Sequence, residues 1–364
     1  MNNKDFKVLL ISPLPPPAGG IASWTKKYLI WAKSNYINVD IVNTAVIGNR
    51  AIRINDKRNL LDEIIRTKEI IKELKRKIAV YRPDIIHMNS SCGKFGIIRD
   101  YLCALIIRNK KIPLIIHYRC NIKDQIDDNK FQNYIFKKLT KTGTLILVLN
   151  NSSRELVDKI TEKKSRLIAN FIEKDFIIKE PKFIRSDIKE IVFIGHVQRT
   201  KGVIEIIKSA KFFPEITFTL AGPISHEISS LEVPKNIRLL GLVNQMKAKE
   251  LLSHADVFLF PTYTEGFSNA LLEAMAMGVP VITTPVGANV DMIEQFGGIL
   301  VEVRSVTDII NVINKMKSSK LRKKMSLWNI RKVENSYIID RLMNDLVEIY
   351  KRVLKSEEYY ENNI

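Results

Sequence analysis

The sequence predicts an α/β protein made of two doubly wound domains, each a parallel sheet wrapped by helices, and three observations predict it. Its 364 residues exceed what one compact core usually holds. Short apolar runs of strand length alternate with stretches of helical periodicity from end to end. The pattern breaks in a charged, irregular stretch at about 173–189 and then restarts. Near-continuous apolar strands with helices between them mean sheets covered on both faces, and two successive sets mean two such domains facing each other.

In the first half, 7–11 reads as a buried strand that leads through a Pro/Gly loop into an amphipathic segment, 21–32. Further strands are expected at 38–42, 84–88, 114–117, 145–149 and 166–169. Between Asn59 and Val80, Leu60, Leu61, Ile64, Ile65, Ile70, Ile71, Leu74 and Ile78 recur at helical spacing, with Lys68, Lys72, Lys75, Arg76 and Lys77 on the other face. In the second half, strands are expected at 191–195, 216–222, 237–241, 257–260, 279–283 and 298–301. A last helix, about 336–355, has no strand after it and is free to pack back on the first domain. The domains are placed at 1–178 and 179–335, with 336–364 as the terminal helix.

Hydrophobic residues make up 46% and charged residues 27%, the balance of an ordinary globular protein. No run of about 18 uninterrupted apolar residues occurs; the nearest, 97–117, is cut by Arg99, Asp100 and the polar run 108–111. The first apolar run, 8–11, is too short for a signal peptide and stops at Pro13. Cys92, Cys103 and Cys120 form no CxxC pair and are odd in number, so reduced thiols are expected. Together these features point to the cytoplasm. The net charge is +19, and 34 of the 58 basic but only 18 of the 39 acidic residues lie in 1–180, so +16 of that excess sits in the first half. That asymmetry suits an anionic partner, either a membrane surface or a phosphorylated acceptor, although a merely solvated basic surface would read the same way. With no zinc-finger or RNP signature, nucleic acid is not expected.

The most informative stretch is Phe260-Pro-Thr-Tyr-Thr-Glu265-Gly-Phe-Ser-Asn-Ala-Leu-Leu-Glu273-Ala-Met-Ala-Met-Gly278-Val-Pro-Val. A strand ends at Phe260, Ser268 is a good N-cap, and strong helix formers run to Met277 before Gly278 and Pro280. The first amides of that helix, near Phe267, Ser268, Asn269 and Ala270, would point into the crevice where α/β sheets bind ligands and would suit a phosphate. Alone, Glu265 and Glu273 read as a solvated loop acid and a helix-dipole partner. In such a crevice, however, a carboxylate can accept paired hydrogen bonds from the vicinal hydroxyls of a ribose or a sugar.

The two glutamates, with Gly-Phe-Ser-Asn-Ala-Leu-Leu between them and Pro285-Val-Gly-Ala-Asn289 beyond, closely resemble the signature of family 4 (group 1) retaining glycosyltransferases. The resemblance implies a GT-B fold, two facing Rossmann-like domains with a cleft between them. The first would bind a glycan or polyprenyl-linked acceptor and the second a nucleotide-sugar donor. It gives Glu265 the donor sugar and Glu273 the nucleotide ribose. A second block, Ile191-Val-Phe-Ile-Gly195-His-Val-Gln-Arg-Thr-Lys201-Gly202, looks like the family's Gly-Arg…Lys-Gly loop, whose cations neutralise the donor diphosphate. Lys201 matches the lysine. The arginine position holds His196, so either His196 donates one hydrogen bond or Arg199 supplies the cation. By the same resemblance, Gly19 and Gly20 lie over the pyrophosphate, and His117, at the end of 114–117, stands at the cleft edge near the donor sugar. His87 ends another strand and is a candidate for the acceptor pocket.

The implied enzyme is a hexosyltransferase-type transferase of cell-surface polysaccharide synthesis, peripheral on the inner face of the membrane. Its catalytic residues would be His117, Lys201 and Glu265. No cofactor and no metal are expected, since Asp127-Asp128 is too weak a pattern for a metal site. A sugar-nucleotide epimerase or a phosphorylase on the same scaffold, and a non-catalytic nucleotide-binding partner subunit, are the competing readings.

Overall fold

The computed structural model describes residues 6–16, 19–45, 60–126, 129–161 and 165–361. The Asp127-Asp128 pair lies outside them. Contacts divide the chain into two units, Met1–Ala169 with Leu342–Ile364, and Asn170–Arg341. The sequence places these boundaries at 178 and 335. The earlier break arises because the connecting segment bonds into the second unit: Asn170 Nδ2 donates to Asn269 Oδ1 at 2.9 Å and the Ile178 amide to the Ala276 carbonyl at 3.1 Å.

In the first unit β1 (Lys7–Ser12), α1 (Gly20–Ser34), β2 (Asn38–Asn43), α2 (Leu60–Tyr81), β3 (Ile85–Ser90) and α3 (Lys94–Asn109) follow in order. Then come β4 (Leu114–Tyr118), α4 (Ile122–Gln125), α5 (Lys130–Thr142), β5 (Leu145–Val148), α6 (Asn151–Thr161) and β6 (Arg166–Leu167). The strands form one parallel sheet in the order β2-β1-β3-β4-β5-β6. Every residue of β3 and β4 is buried, as strands covered on both faces require. The core packs Leu9, Ile11, Ile86 and Ile116 against Leu74, Ala104, Phe136 and Val157 of the helices.

Helix α2 buries Ile70, Leu74 and Ile78, whereas Leu60, Leu61, Ile64 and Ile65 stay exposed. Leu61 and Ile65 fall on the far side of the helix from Ile70, given 3.6 residues per turn. The expected basic face is also partly paired, with Lys77 donating to Asp40 at 2.5 Å and Arg76 to Glu73 at 2.7 Å.

The second unit runs β7 (Glu190–Ile194), α7 (Val203–Ala210), β8 (Thr217–Ala221), α8 (His226–Ser229), β9 (Ile237–Gly241) and α9 (Gln245–His254). It continues through β10 (Val257–Phe260), α10 (Asn269–Ala276), β11 (Val281–Thr283), α11 (Asn289–Ile293), β12 (Gly298–Leu300), α12 (Val306–Met316) and α13 (Ser319–Ser336). The parallel sheet has the order β12-β11-β10-β7-β8-β9. The last helix, α14 (Ile339–Glu361), belongs to the first unit from Leu342 onward. There Tyr350 is fully buried, edge-on to Phe6 at 6.2 Å between ring centres. Among the described residues no helix is long and apolar enough to cross a membrane.

Candidate active site

In the second sheet β8 and β9 lie on one side of β7, while β10, β11 and β12 lie on the other. The loops leaving β7 and β10 therefore part at a topological switch point, where open parallel sheets take ligands. Lys201 closes a short 3-10 turn, Arg199–Lys201, after β7. Glu265 lies in the loop after β10. Lys201 Nζ donates to Glu265 Oε1 at 2.5 Å, and the two side chains keep 20% and 16% exposure. The ammonium also lies 5.8 Å from the Phe260 ring centre. The pair is reachable from solvent yet sheltered enough for its charges to act strongly.

Backbone contacts hold the two loops in place. The Tyr263 amide donates to the Thr200 carbonyl at 2.9 Å. Gly202 adopts φ 74°, and a Cβ there would stand 2.1 Å from the Pro261 carbonyl oxygen. Gly287 adopts φ 54°, and its Cβ would stand 1.9 Å from the Glu265 carbonyl oxygen. Only glycine meets both demands, a left-handed φ and backbone close against backbone. Beside it the Ala288 amide donates to Gly266 O at 3.1 Å, so the loop after β11 also props Glu265.

Helix α10 starts as its sequence directs. Ser268 caps it, its Oγ accepting from the Leu271 amide at 3.2 Å. The amides of Asn269 and Ala270, in the first turn, have no carbonyl four residues back within the helix. Phe267 is buried edge-on against Tyr337 at 5.6 Å, which anchors the turn, and the Asn269 side chain is held by Asn170. Glu273 is half-buried one turn on, and Gly278 at φ 64° ends the run. The other basic side chains of the β7 loop are exposed. His196 is exposed, and Arg199 Nε donates to Glu227 of α8 at 2.7 Å. Neither joins the Lys201–Glu265 pair.

In the first sheet the switch falls between β1 and β3. Gly19, extended at φ −177°, follows β1, and Gly20 opens α1. A Cβ on Gly19 would meet nothing within 4 Å. His117 on β4 and His87 on β3 do not stand at an edge; both are fully buried. Their rings stack at 5.4 Å, and Trp24 of α1 meets both edge-on at 5.8 and 6.0 Å. The Arg119 guanidinium lies 4.5 Å over Trp24 and donates to His117 Nε2 at 3.2 Å. His87 Nδ1 and the Tyr350 hydroxyl share a hydrogen bond of 2.6 Å, and Tyr350 lies 3.3 Å from the Tyr28 hydroxyl. Burial, helped by the Arg119 charge, pushes His87 down to about 3 and holds His117 well below the usual histidine range. Both are neutral imidazoles at pH 7. With Nε2 of His117 accepting from Arg119, its ring proton is assigned to Nδ1. Trp24, Arg119 and Tyr350 carry no motif that reveals their part in this cluster.

The chain aligns over 325 residues with the UDP-Gal:alpha-D-GlcNAc-diphosphoundecaprenol alpha-1,3-galactosyltransferase of Escherichia coli at 23% identity, covering 79% of this chain and 81% of that one. Its fold matches a sucrose-phosphate synthase from Thermosynechococcus elongatus with a TM-score of 0.77 at 14% identity, over 96% of this chain and 100% of that one. It also matches Anabaena HepE in complex with UDP and glucose, with a TM-score of 0.70 at 13% identity over 95% and 99% of the two chains. Residues 174–329, which hold the Lys201–Glu265 pair and the whole of α10, match the family described as glycosyl transferases group 1. Over those residues the chain is similar to the group 1 glycosyltransferases, and over its length it has the GT-B fold.

Proposed function

We propose that this glycosyltransferase moves a sugar from a nucleoside diphosphate to a glycan or polyprenyl-linked acceptor with retention at the anomeric carbon, in the synthesis of cell-surface polysaccharide. The observation that carries the reading is the Lys201–Glu265 pair at the switch point of the second sheet. A diphosphate attracts Lys201 as a point charge, and the first-turn amides of α10 add their dipole. With the lysine drawn to phosphate, Glu265 is released to accept hydrogen bonds from the donor sugar. Glu273, one turn further on, takes the vicinal hydroxyls of the ribose. The bond that breaks joins the anomeric carbon to the diphosphate oxygen. A preorganised donor to such a leaving group is worth roughly 10²–10³ in rate. Lys201 and the amides supply that stabilisation without a metal, and the acceptor hydroxyl passes its proton to the departing phosphate on the same face. His117, closed in beneath Trp24, acts on this chemistry only as a buried support. The galactosyltransferase relative, with its UDP-Gal donor and diphosphoundecaprenol-linked acceptor, and the UDP and glucose held by HepE support the donor and acceptor classes.

An anionic membrane is the surface we assign to the basic first half. The outer face of α5 presents Lys130, Lys137, Lys138 and Lys141 beside exposed Phe131 and Tyr134. A cavity of about 560 Å³ opens beside them, lined by three of these lysines, Lys159 of α6 and the apolar Ile126 and Leu156, with no carboxylate among the described residues that line it. Each lysine near an anionic leaflet is worth about 1 kcal/mol.

Melting temperatures measured with a panel of UDP-, GDP- and ADP-sugars test the donor reading, and one donor should raise the midpoint by several degrees. Glu273→Ala should weaken that donor about tenfold by loss of paired hydrogen bonds, with turnover of the wild type indifferent to EDTA. A panel that leaves the midpoint unmoved removes the reading. Vesicles containing phosphatidylglycerol should bind the protein at low salt and release the Lys137→Glu/Lys138→Glu variant; equal binding by both would remove α5 as the docking face.

A further inference from the structure

Tyr263 stands two residues before Glu265, in the same loop, and its side chain reaches α7. Its hydroxyl lies 2.9 Å from each carboxylate oxygen of Glu205, in the first turn of that helix. Glu205 is buried, so its charge is compensated by this phenol rather than by bulk water. The Tyr263 amide donates to the Thr200 carbonyl, and the Arg304 guanidinium, from the loop after β12, covers the ring at 4.7 Å. The loop after β10 is thus tied to the loop after β7 at residue 200 and to α7 at residue 205, and Lys201 lies between them in sequence. Resting on the functional reading above, we infer that Tyr263, clamped by Glu205, is a positioning residue that sets the Lys201–Glu265 pair and through it the stabilisation of the leaving diphosphate.

The chemistry of the clamp suits a permanent rather than a switching role. Burial and the neighbouring Glu205 push the phenol up to about 12, so it remains a proton donor across the working range. A donor facing a carboxylate makes a charge-assisted bond, about twice as strong as a neutral one. Releasing it leaves Glu205 a buried anion with its donor gone, and the α7 end of the clasp then relaxes. A displacement of about 1 Å at a reacting centre can cost on the order of 10²-fold in rate. Tyr263 touches neither substrate nor reacting atoms in this scheme and acts only through Lys201 and Glu265.

The test is a set of kinetic variants with the best donor. Tyr263→Phe keeps the ring beneath Arg304 and should lower kcat about tenfold, leaving donor KM within about twofold, because Glu273 and the α10 amides still hold the ground state. Glu205→Ala should match it, the double variant should be no worse than either, and Glu205→Gln, which keeps an acceptor oxygen, should recover to within about threefold of wild type. In a Lys201→Ala background Tyr263→Phe should cost nothing further. A full additional loss in that background, or an unchanged kcat in Tyr263→Phe, overturns the inference. A crystal structure of Tyr263→Phe reads the clasp independently of turnover. Lys201 and Glu265 should stand more than ~4 Å apart, beyond ion-pair contact, where they now stand 2.5 Å apart; a pair retained at its present distance overturns the inference even if no sugar nucleotide proves to be a substrate.

Discussion

The two sheets carry polar clusters at the carboxyl ends of their strands, and the clusters are built in opposite ways. In the first unit His87, Asn89 and His117 are sealed in, with Trp24 of α1 and Tyr350 of α14 packed against the histidine rings. Ser12 joins them beneath the same surface, accepting from Asn89 at 2.9 Å and sharing a 2.6 Å bond with Thr25. In the second unit Lys201 and Glu265 meet at a comparable place but keep a fifth and a sixth of their surface open. The difference follows the charge state. A neutral imidazole can be buried for the price of its hydrogen bonds, whereas removing an ammonium and a carboxylate from water costs several kcal/mol for each ion. The neutral imidazole pair can therefore serve as a support, with the Arg119 guanidinium laid over Trp24 and bonded to His117, while the Lys201–Glu265 pair stays within reach of water or of a ligand that replaces it.

Acid should break this contrast most strongly. In the folded chain His87 takes up a proton only near pH 3, whereas its ordinary value is 6.5, and His117 is displaced in the same direction. Between those limits the unfolded chain binds more protons, so stability present above about pH 6.5 is lost as the pH falls toward 3. At about 1.4 kcal/mol per pH unit, His87 alone should remove about 2 kcal/mol between pH 7 and 5, and His117 adds to that loss in the same direction. Urea unfolding at the two pH values checks this, and equal free energies would mean that the rings are not buried as neutral groups. Next in size is Lys201→Ala, for which we expect about a 100-fold fall in kcat/KM, worth about 2.7 kcal/mol of transition-state stabilisation. The thermal midpoint should hardly move, and steady-state kinetics set beside a melting curve would show it.

Gly287→Ala sharpens the comparison by disturbing the ionic cluster through its backbone. The left-handed φ alone costs about 1–2 kcal/mol, and the new Cβ would press on the Glu265 carbonyl. We therefore expect lost stability together with lost activity, and a variant that kept full turnover would show that Glu265 is not held from this side. Tyr350→Phe is its counterpart in the neutral cluster. It removes the hydroxyl bonded to His87 and should cost about 1 kcal/mol of unfolding free energy, with kcat/KM within about twofold of wild type. A large kinetic effect there would mean that the histidine cluster does more than support the sheet.

Much of the fold was legible because parallel strands in a two-sided sheet must be apolar throughout. Each expected strand lies within two residues of an observed one, and 237–241 and 257–260 coincide with β9 and β10. The start and stop of α10 were equally legible, since Ser268 and Gly278 encode capping locally. Helix α2 was legible in extent but not in facing, because eight apolar residues at helical spacing leave open which of them meet the sheet. His117 shows the limit at the site. A histidine at a strand end reads the same whether it faces a ligand or lies under a tryptophan, and only Trp24 of α1 decides between them.

By itself the sequence determined the two successive parallel sheets, the capped helix after β10 and the residue types able to hold a diphosphate, because each depends on periodicity or on chemistry within a few neighbours. Tertiary structure alone decided that Lys201 is paired with Glu265 while Arg199 is turned to Glu227. It also decided that Tyr350, 263 positions along the chain from His87, completes the first unit's cluster. These pairings join residues distant in sequence, and which of several similar cations or hydroxyls reaches a given partner depends on how strands and loops pack in space.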